Sequence, residues 1–196
     1  PGCGGGAGPS KLDRELKALE SETASERETA LLHLADMGKA EAESAASKAV
    51  GFLKDENAGV RGAAVKLLVK FEHKTPDALT ALGSLAQSDS DESVQGEALQ
   101  ALQELGATDK YIEVCIAFLT GADAGKQSIG ANGLQGVEKG AAVAAQAALL
   151  TRLKDGSAEV RSQCVYALGN LGAKASDETK AALEAAAKDP DKDVAE

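Results

Sequence analysis

A segment of 13 residues recurs five times along this chain, and that period constrains the fold more than any other feature. The copies are ERETALLHLADMG (26–38), VRGAAVKLLVKFE (60–72), VQGEALQALQELG (94–106), KQSIGANGLQGVE (126–138) and VRSQCVYALGNLG (160–172), whose first residues lie 34, 34, 32 and 34 apart. One column is always small: Ala30, Ala64, Ala98, Gly130 and Cys164. A second is always leucine (Leu34, Leu68, Leu102, Leu134, Leu168), and a third is large and apolar (Met37, Phe71, Leu105, Val137, Leu171). Steps of four and three residues put all three columns on one face of an α-helix. One supersecondary unit cannot bury such a face by itself, so units repeated at this period stack on copies of themselves. The pattern predicts an all-α fold, a right-handed α-solenoid of about five helix pairs.

The rest of the chain fits around these A helices. Leu12, Leu16 and Leu19 in KLDRELKALE stand at helical spacing and predict an N-terminal cap helix that covers the first repeat. The B helices are expected at 40–54, 76–87, 108–120, 141–154 and 176–188. Gly38, Gly106 and Gly172 follow A helices where a C-cap glycine belongs. Thr75 before Pro76, Thr108 and Ser176 can cap the B helices that follow them. Residues 1–10 read as a flexible Gly-rich leader and 11–196 as the solenoid, with DKDVAE opening a sixth A helix.

Repeats of this length and shape resemble the HEAT family, in particular the short HEAT-like repeats of the phycobilisome-lyase type. The resemblance is carried by an Asp at the turn and Val-Arg at the A-helix start, in DENAGVR (55–61) and DGSAEVR (155–161). It implies a ladder of salt bridges and hydrogen bonds that joins neighbouring units through Asp55, Arg61, Asp155 and Arg161. Arg is lost at Gln95 and Gln127 and Asp at Ser21 and Gly121, so the ladder should be discontinuous in the middle of the array. A short stretch elsewhere carries a second resemblance: PGCGGGAGPS is similar to the junction of a bacterial lipoprotein, which implies a lipid anchor on Cys3, a tether at 4–10 and a cell-envelope location. The alternative is a flexible terminus with an incidental Cys3 and a cytoplasmic protein.

Composition narrows the partners. The 196 residues hold 21 basic and 31 acidic side chains, a net charge of -10. Phosphate backbones select basic surfaces, so nucleic acid is not an expected partner. Five aromatics and no Trp offer little for base stacking. No apolar run approaches the roughly 18 to 20 residues of a membrane helix, so a membrane is reached only through an anchor at Cys3. Cys115 and Cys164 fall at small apolar positions of helices and are expected to be buried free thiols.

Catalytic chemistry finds little purchase. His33 and His73 are the two imidazoles, neither is followed by Glu, and no metal or cofactor is expected. Asp189, Asp191 and Asp193 alternate as in a calcium loop, but Val194 stands where that loop needs Gly, so a capped turn is expected there and in SDSDES (88–93). The glycines of repeat four (Gly121, Gly125, Gly130, Gly133, Gly136, Gly140) read as a weak helix or hinge, since interior Gly costs a helix up to about 1 kcal/mol.

The resulting expectation is a non-enzymatic interaction scaffold whose concave surface, lined by B helices, holds a protein or peptide. The alternative implied by the repeat type is a bilin-lyase-like or chaperone-like enzyme. Aligning the B helices on Leu53, Leu85, Leu119 and Leu153 puts Phe52, Ser84, Phe118 and Arg152 in one row. On the central B helix Tyr111, Val114 and Phe118 form a second apolar stripe about 110 degrees from the core direction. The partner-binding candidates are therefore Lys48, Phe52, Tyr111, Val114, Phe118 and Arg152, with Tyr111 and Phe118 expected to be partly accessible.

Overall fold

A computed structural model describes residues 8–137 and 141–195. Among them there is no strand, and twelve α-helices follow one another in antiparallel pairs. Cys3 and Gly140 lie outside the described residues. The chain divides into two compact units, one running to Ala107 and the other starting at Thr108.

The first unit holds α1 (Lys11–Ala18), α2 (Ala24–Ala35), α3 (Lys39–Phe52), α4 (Ala58–Lys70), α5 (Pro76–Ser88) and α6 (Glu92–Glu104). The cap helix α1 starts at a capping box, in which Ser10 and Asp13 satisfy each other's backbone N–H groups, and it lies on α2. The A helices α2, α4 and α6 pack side by side. Their leucine column is completely buried at Leu34, Leu68 and Leu102, and the small column at Ala30, Ala64 and Ala98 lets neighbouring helices approach.

The second unit holds α7 (Thr108–Thr120), α8 (Ala124–Gln135), α9 (Gln146–Asp155), α10 (Ala158–Gly169), α11 (Asp177–Ala186) and α12 (Lys192–Ala195). Leu134, Leu168 and Cys164 are its fully buried column residues. Here the expected B helix at 141–154 is split: Ala141–Ala145 form a 3-10 turn before α9 begins. No Ser, Thr, Asp or Asn stands between 136 and 145 to cap a regular start, and Ala145 makes no side-chain cap bond.

Capping explains most boundaries. Asn57, Asp91, Asp123 and Ser157 each accept a backbone N–H at the start of an A helix, while Thr75 and Ser176 do the same for α5 and α11. Gly106 and Gly172 take the left-handed conformation expected of helix-terminating glycines, at φ 67° and 55°. Gly38 does not: at φ -64° it is the N-cap of α3. Glu72 occupies the left-handed position after α4 instead, with φ 51°. No helix of the described residues is long and apolar enough to cross a membrane.

Candidate functional site

Three arginine rungs tie successive repeats together. Arg27 donates from Nε and Nη2 to the two carboxylate oxygens of Asp55, both at 2.8 Å, while its Nη1 reaches the carbonyls of Ser21 and Glu22. Arg61 repeats this one unit on, with Asp89 at 2.7 and 2.5 Å and the carbonyls of Asp55 and Glu56 at 2.8 and 3.0 Å. Arg161 makes the same fork to Asp189 at 2.9 and 2.7 Å and reaches the Gly156 carbonyl.

Each guanidinium thus takes the backbone of the turn six or five residues before it and the carboxylate 28 residues after it. The fork requires a planar five-donor group, which Lys could not replace. Asp89, Asp189 and the pairing of Arg27 with Asp55 were not assigned from the sequence. The signal was present as an Asp 28 residues downstream of each Arg.

Where Arg is missing, half of the rung survives. Gln95 and Gln127 donate Nε2 to the carbonyls of Asp89 and Gly121, six residues back, and a single amide cannot make the two-pronged charged fork that Arg makes. The acidic clusters are absorbed in the same way: Asp89 and Asp189 belong to rungs, each also accepts the backbone N–H two residues on, and Asp91 caps α6.

The rungs shift the acids they hold. The Arg27 bond keeps the Asp55 carboxyl below its ordinary 3.8, and Arg161 does so for Asp189. Burial opposes ionisation of Asp89, yet the Arg61 and backbone bonds outweigh it and leave that group lowered too. A carboxylate with a depressed folded value stabilises the fold fully above the unfolded value of 3.8. The contribution fades as pH falls through the folded value.

The apolar stripe on α7 is closed, contrary to expectation. Tyr111 and Phe118 are each 5% exposed and Val114 is completely buried. The cause lies in α8, whose glycines let it sit unusually close. A Cβ on Gly130 would come within 2.5 Å of the Cys115 carbonyl and 3.1 Å of Phe118 Cβ, and one on Gly133 within 2.6 Å of Tyr111 Oη. The Lys126 ammonium lies 5.5 Å from the centre of the Phe118 ring. Gly130 and Gly133 are therefore close-packing positions of α8 against α7.

Arg152 is also corrected, from a rim residue to a tie between helices. From α9 its Nε donates to the Leu119 carbonyl at 2.7 Å, and Nη2 reaches the carbonyls of Thr120 and Gly121 at 3.3 and 3.1 Å. These are the last carbonyls of α7, where a cation is favoured by both hydrogen bonding and the helix dipole. Of the remaining candidates, Lys48 is exposed and Phe52 half-buried on α3.

The first unit opens where the second is tied shut. A cavity of about 780 Å³ separates α3 from α5. Val50, Gly51, Leu53 and Lys54 form one wall; Asp77, Thr80, Ala81, Ser84, Leu85 and Ser88 form the other. Arg61, Asp89 and Ser90 close one end. The α5 wall, from Asp77 to Ser88, is about 16 Å long along the helix axis.

The two described thiols are buried. Burial pushes Cys115 up to about 11 and Cys164 up to about 12, so both stay protonated at neutral pH. His33 faces Glu15 at 3.2 Å on a half-exposed surface. No His, Cys, Asp and Glu group among the described residues could hold a metal ion.

Stacked helix pairs joined by Arg–Asp rungs define a helical repeat protein. Family models of HEAT repeats match residues 12–103 and 146–175, and the chain belongs to the HEAT repeat family. No curated protein matches the sequence. Among solved structures the chain is similar to an engineered protein at 20% identity and a TM-score of 0.55, over 94% of this chain and 92% of the other. It is also similar to a designed armadillo repeat protein at 20% identity and a TM-score of 0.54, over 94% and 95% of the two chains. A second designed armadillo repeat protein, in complex with the peptide (KR)4, matches at the same identity, TM-score and coverage. These likenesses describe the fold.

Proposed function

We propose that this protein is a non-enzymatic scaffold that holds a basic peptide or a basic segment of another protein. The observation that carries this reading is the open groove between α3 and α5, on a chain whose net charge is -10. Acidic excess favours basic partners and speeds their encounter. The complex of a similar helical repeat protein with (KR)4 supports the same mode of use. Lys48 and Phe52, on the helix that walls the groove, are proposed as contacts at its margin.

A bilin-lyase-like activity would call for aromatic or imidazole groups around a pocket, and the groove walls carry neither. The Gly-rich leader supports a tethered form anchored through Cys3, which would hold an acidic scaffold at a membrane surface. The scaffold reading is tested by fluorescence anisotropy with labelled peptides of alternating Lys and Arg, Glu-rich peptides and neutral peptides. Binding of the basic peptide alone, weakening as salt is raised, is the expected result. Equal binding of all three, or of none, would sink it.

A further inference from the structure

Arg152 shows what a filled inter-helix position looks like in this protein. It spans from one B helix to the C-terminal carbonyls of the preceding one, Leu119, Thr120 and Gly121. The matching pair in the first unit is α5 and α3. Helix α5, PDALTALGSLAQS, contains no Lys or Arg at any position, so it offers no guanidinium of its own. The groove lies at that place, between Ser84, Leu85 and Ser88 on α5 and Leu53 and Lys54 at the end of α3.

The polar groups of the groove ask for a donor. Ser84 donates its hydroxyl to the Thr80 carbonyl at 3.0 Å, and Ser88 donates to the Ser84 carbonyl at 2.9 Å. Their protons are spent on their own helix, so both groove-lining oxygens are left with acceptor capacity only. The C-terminal turn of α3 adds the negative end of its dipole. Asp77 supplies a carboxylate at the far end and makes no ion pair with any described residue.

An anion would find far less. Arg61 commits Nε and Nη2 to Asp89 and Nη1 to the carbonyls of Asp55 and Glu56, so it has no fork left to offer. Lys54 is the one other cation in the walls.

We infer that the α3–α5 groove is an arginine side-chain site, in which a guanidinium from a bound basic segment does in trans what Arg152 does within the second unit. This rests on the scaffold reading and names the residue that the scaffold holds there. Its α5 wall also spans enough length for neighbouring residues of an extended segment to lie along Thr80 and Ala81.

The test uses a labelled peptide with a single central arginine flanked by lysines, and its twin with citrulline in place of arginine. Citrulline keeps the shape and removes the charge. The wild-type protein is expected to bind the arginine peptide about tenfold more tightly than its twin. Ser84→Arg supplies the guanidinium from α5 and is expected to weaken the arginine peptide by about tenfold, while Gln100→Arg on α6, with the same added charge, changes it less than about threefold.

Equal affinity for the two peptides in the wild type overturns the arginine site without recourse to any variant. Equal weakening by Ser84→Arg and Gln100→Arg removes the groove as its location and leaves the scaffold reading standing. Failure of the wild type to bind either peptide defeats the scaffold reading itself.

Discussion

The two units solve one packing problem in different ways. In the second, Arg152 ties α9 to the end of α7, and the glycines of α8 bring that helix against the backbone of α7. In the first, α3 and α5 are left apart by a groove with hydroxyl-bearing walls, and two of the three described rungs, from Arg27 and Arg61, hold the stack together. The same repeat therefore yields a closed surface or an open one according to the residues at a few positions, Arg152, Gly130 and Gly133 among them. The rungs of the first unit lie on the turn side of the repeat, where the Arg61 rung closes one end of the groove between its B helices α3 and α5.

The rungs give the largest expected effect and sharpen this contrast. Arg61 and Asp89 are the best-covered pair, with side chains 9% and 3% exposed, against 19% and 12% for Arg161 and Asp189. Removing Arg61 strands the Asp89 carboxylate and orphans two carbonyls. Arg61→Ala is expected to destabilise the fold by about 3 kcal/mol. Arg161→Ala should lower the melting temperature less, and leave affinity for a basic peptide unchanged. Thermal denaturation of both variants checks the order. A larger loss from Arg161→Ala would mean that the first unit does not depend on its rungs in this way.

Glycine position separates the units next. In α8 a methyl group on Gly130 would sit 2.5 Å from the Cys115 carbonyl and 2.9 Å from the Leu119 amide, both backbone atoms that cannot swing aside. In α6 a methyl group on Gly96 meets nothing within 4 Å. Gly130→Ala is expected to cost about 2 kcal/mol through forced separation of α7 and α8. Gly96→Ala is expected to stabilise by up to about 1 kcal/mol through helix propensity alone. Urea denaturation of the two variants gives both signs, and a stabilising Gly130→Ala would show that the close approach of α8 is not what closes the second unit.

Periodicity made the fold legible, whereas the site was legible only in part. The leucine and small-residue columns predicted the A helices because their spacing is set by the helix itself. The stripe of Tyr111, Val114 and Phe118 was read as a surface because helical geometry gives directions and not neighbours. What covers it is a helix that approaches through Gly130 and Gly133, 12 to 22 residues later, glycines that at the level of composition look like weakness. Ser84 and Arg152 did fall in one aligned row, yet nothing in that row says that the arginine bonds to backbone carbonyls. Backbone acceptors carry no sequence signature, so the bonds that Arg152 makes to them, and the open groove at the matching place beside α3, appear only in the structure.

The smallest effect concerns how the A helices stop. After α10 in the second unit, Gly172 turns the chain at φ 55°, and after α4 in the first, Glu72 does so at φ 51°. The turn at Glu72 is well made, since His73 N–H donates to the Leu68 carbonyl at 2.8 Å just as Ala107 N–H donates to Leu102 after α6. The hydrogen bonds are thus equivalent, and what differs is the Cβ of Glu72, which the left-handed region disfavours by roughly 1 kcal/mol. Glu72→Gly is expected to stabilise the first unit by slightly less than about 1 kcal/mol, because glycine also has more freedom to lose from the unfolded chain and the Glu72 side chain is not without contacts. Gly172→Ala should carry the opposite sign at the equivalent turn of the second unit. Matched denaturation curves decide it: if Glu72→Gly destabilises, the side-chain interactions of Glu72 outweigh its backbone strain, and the first unit relies on that turn for more than a change of direction.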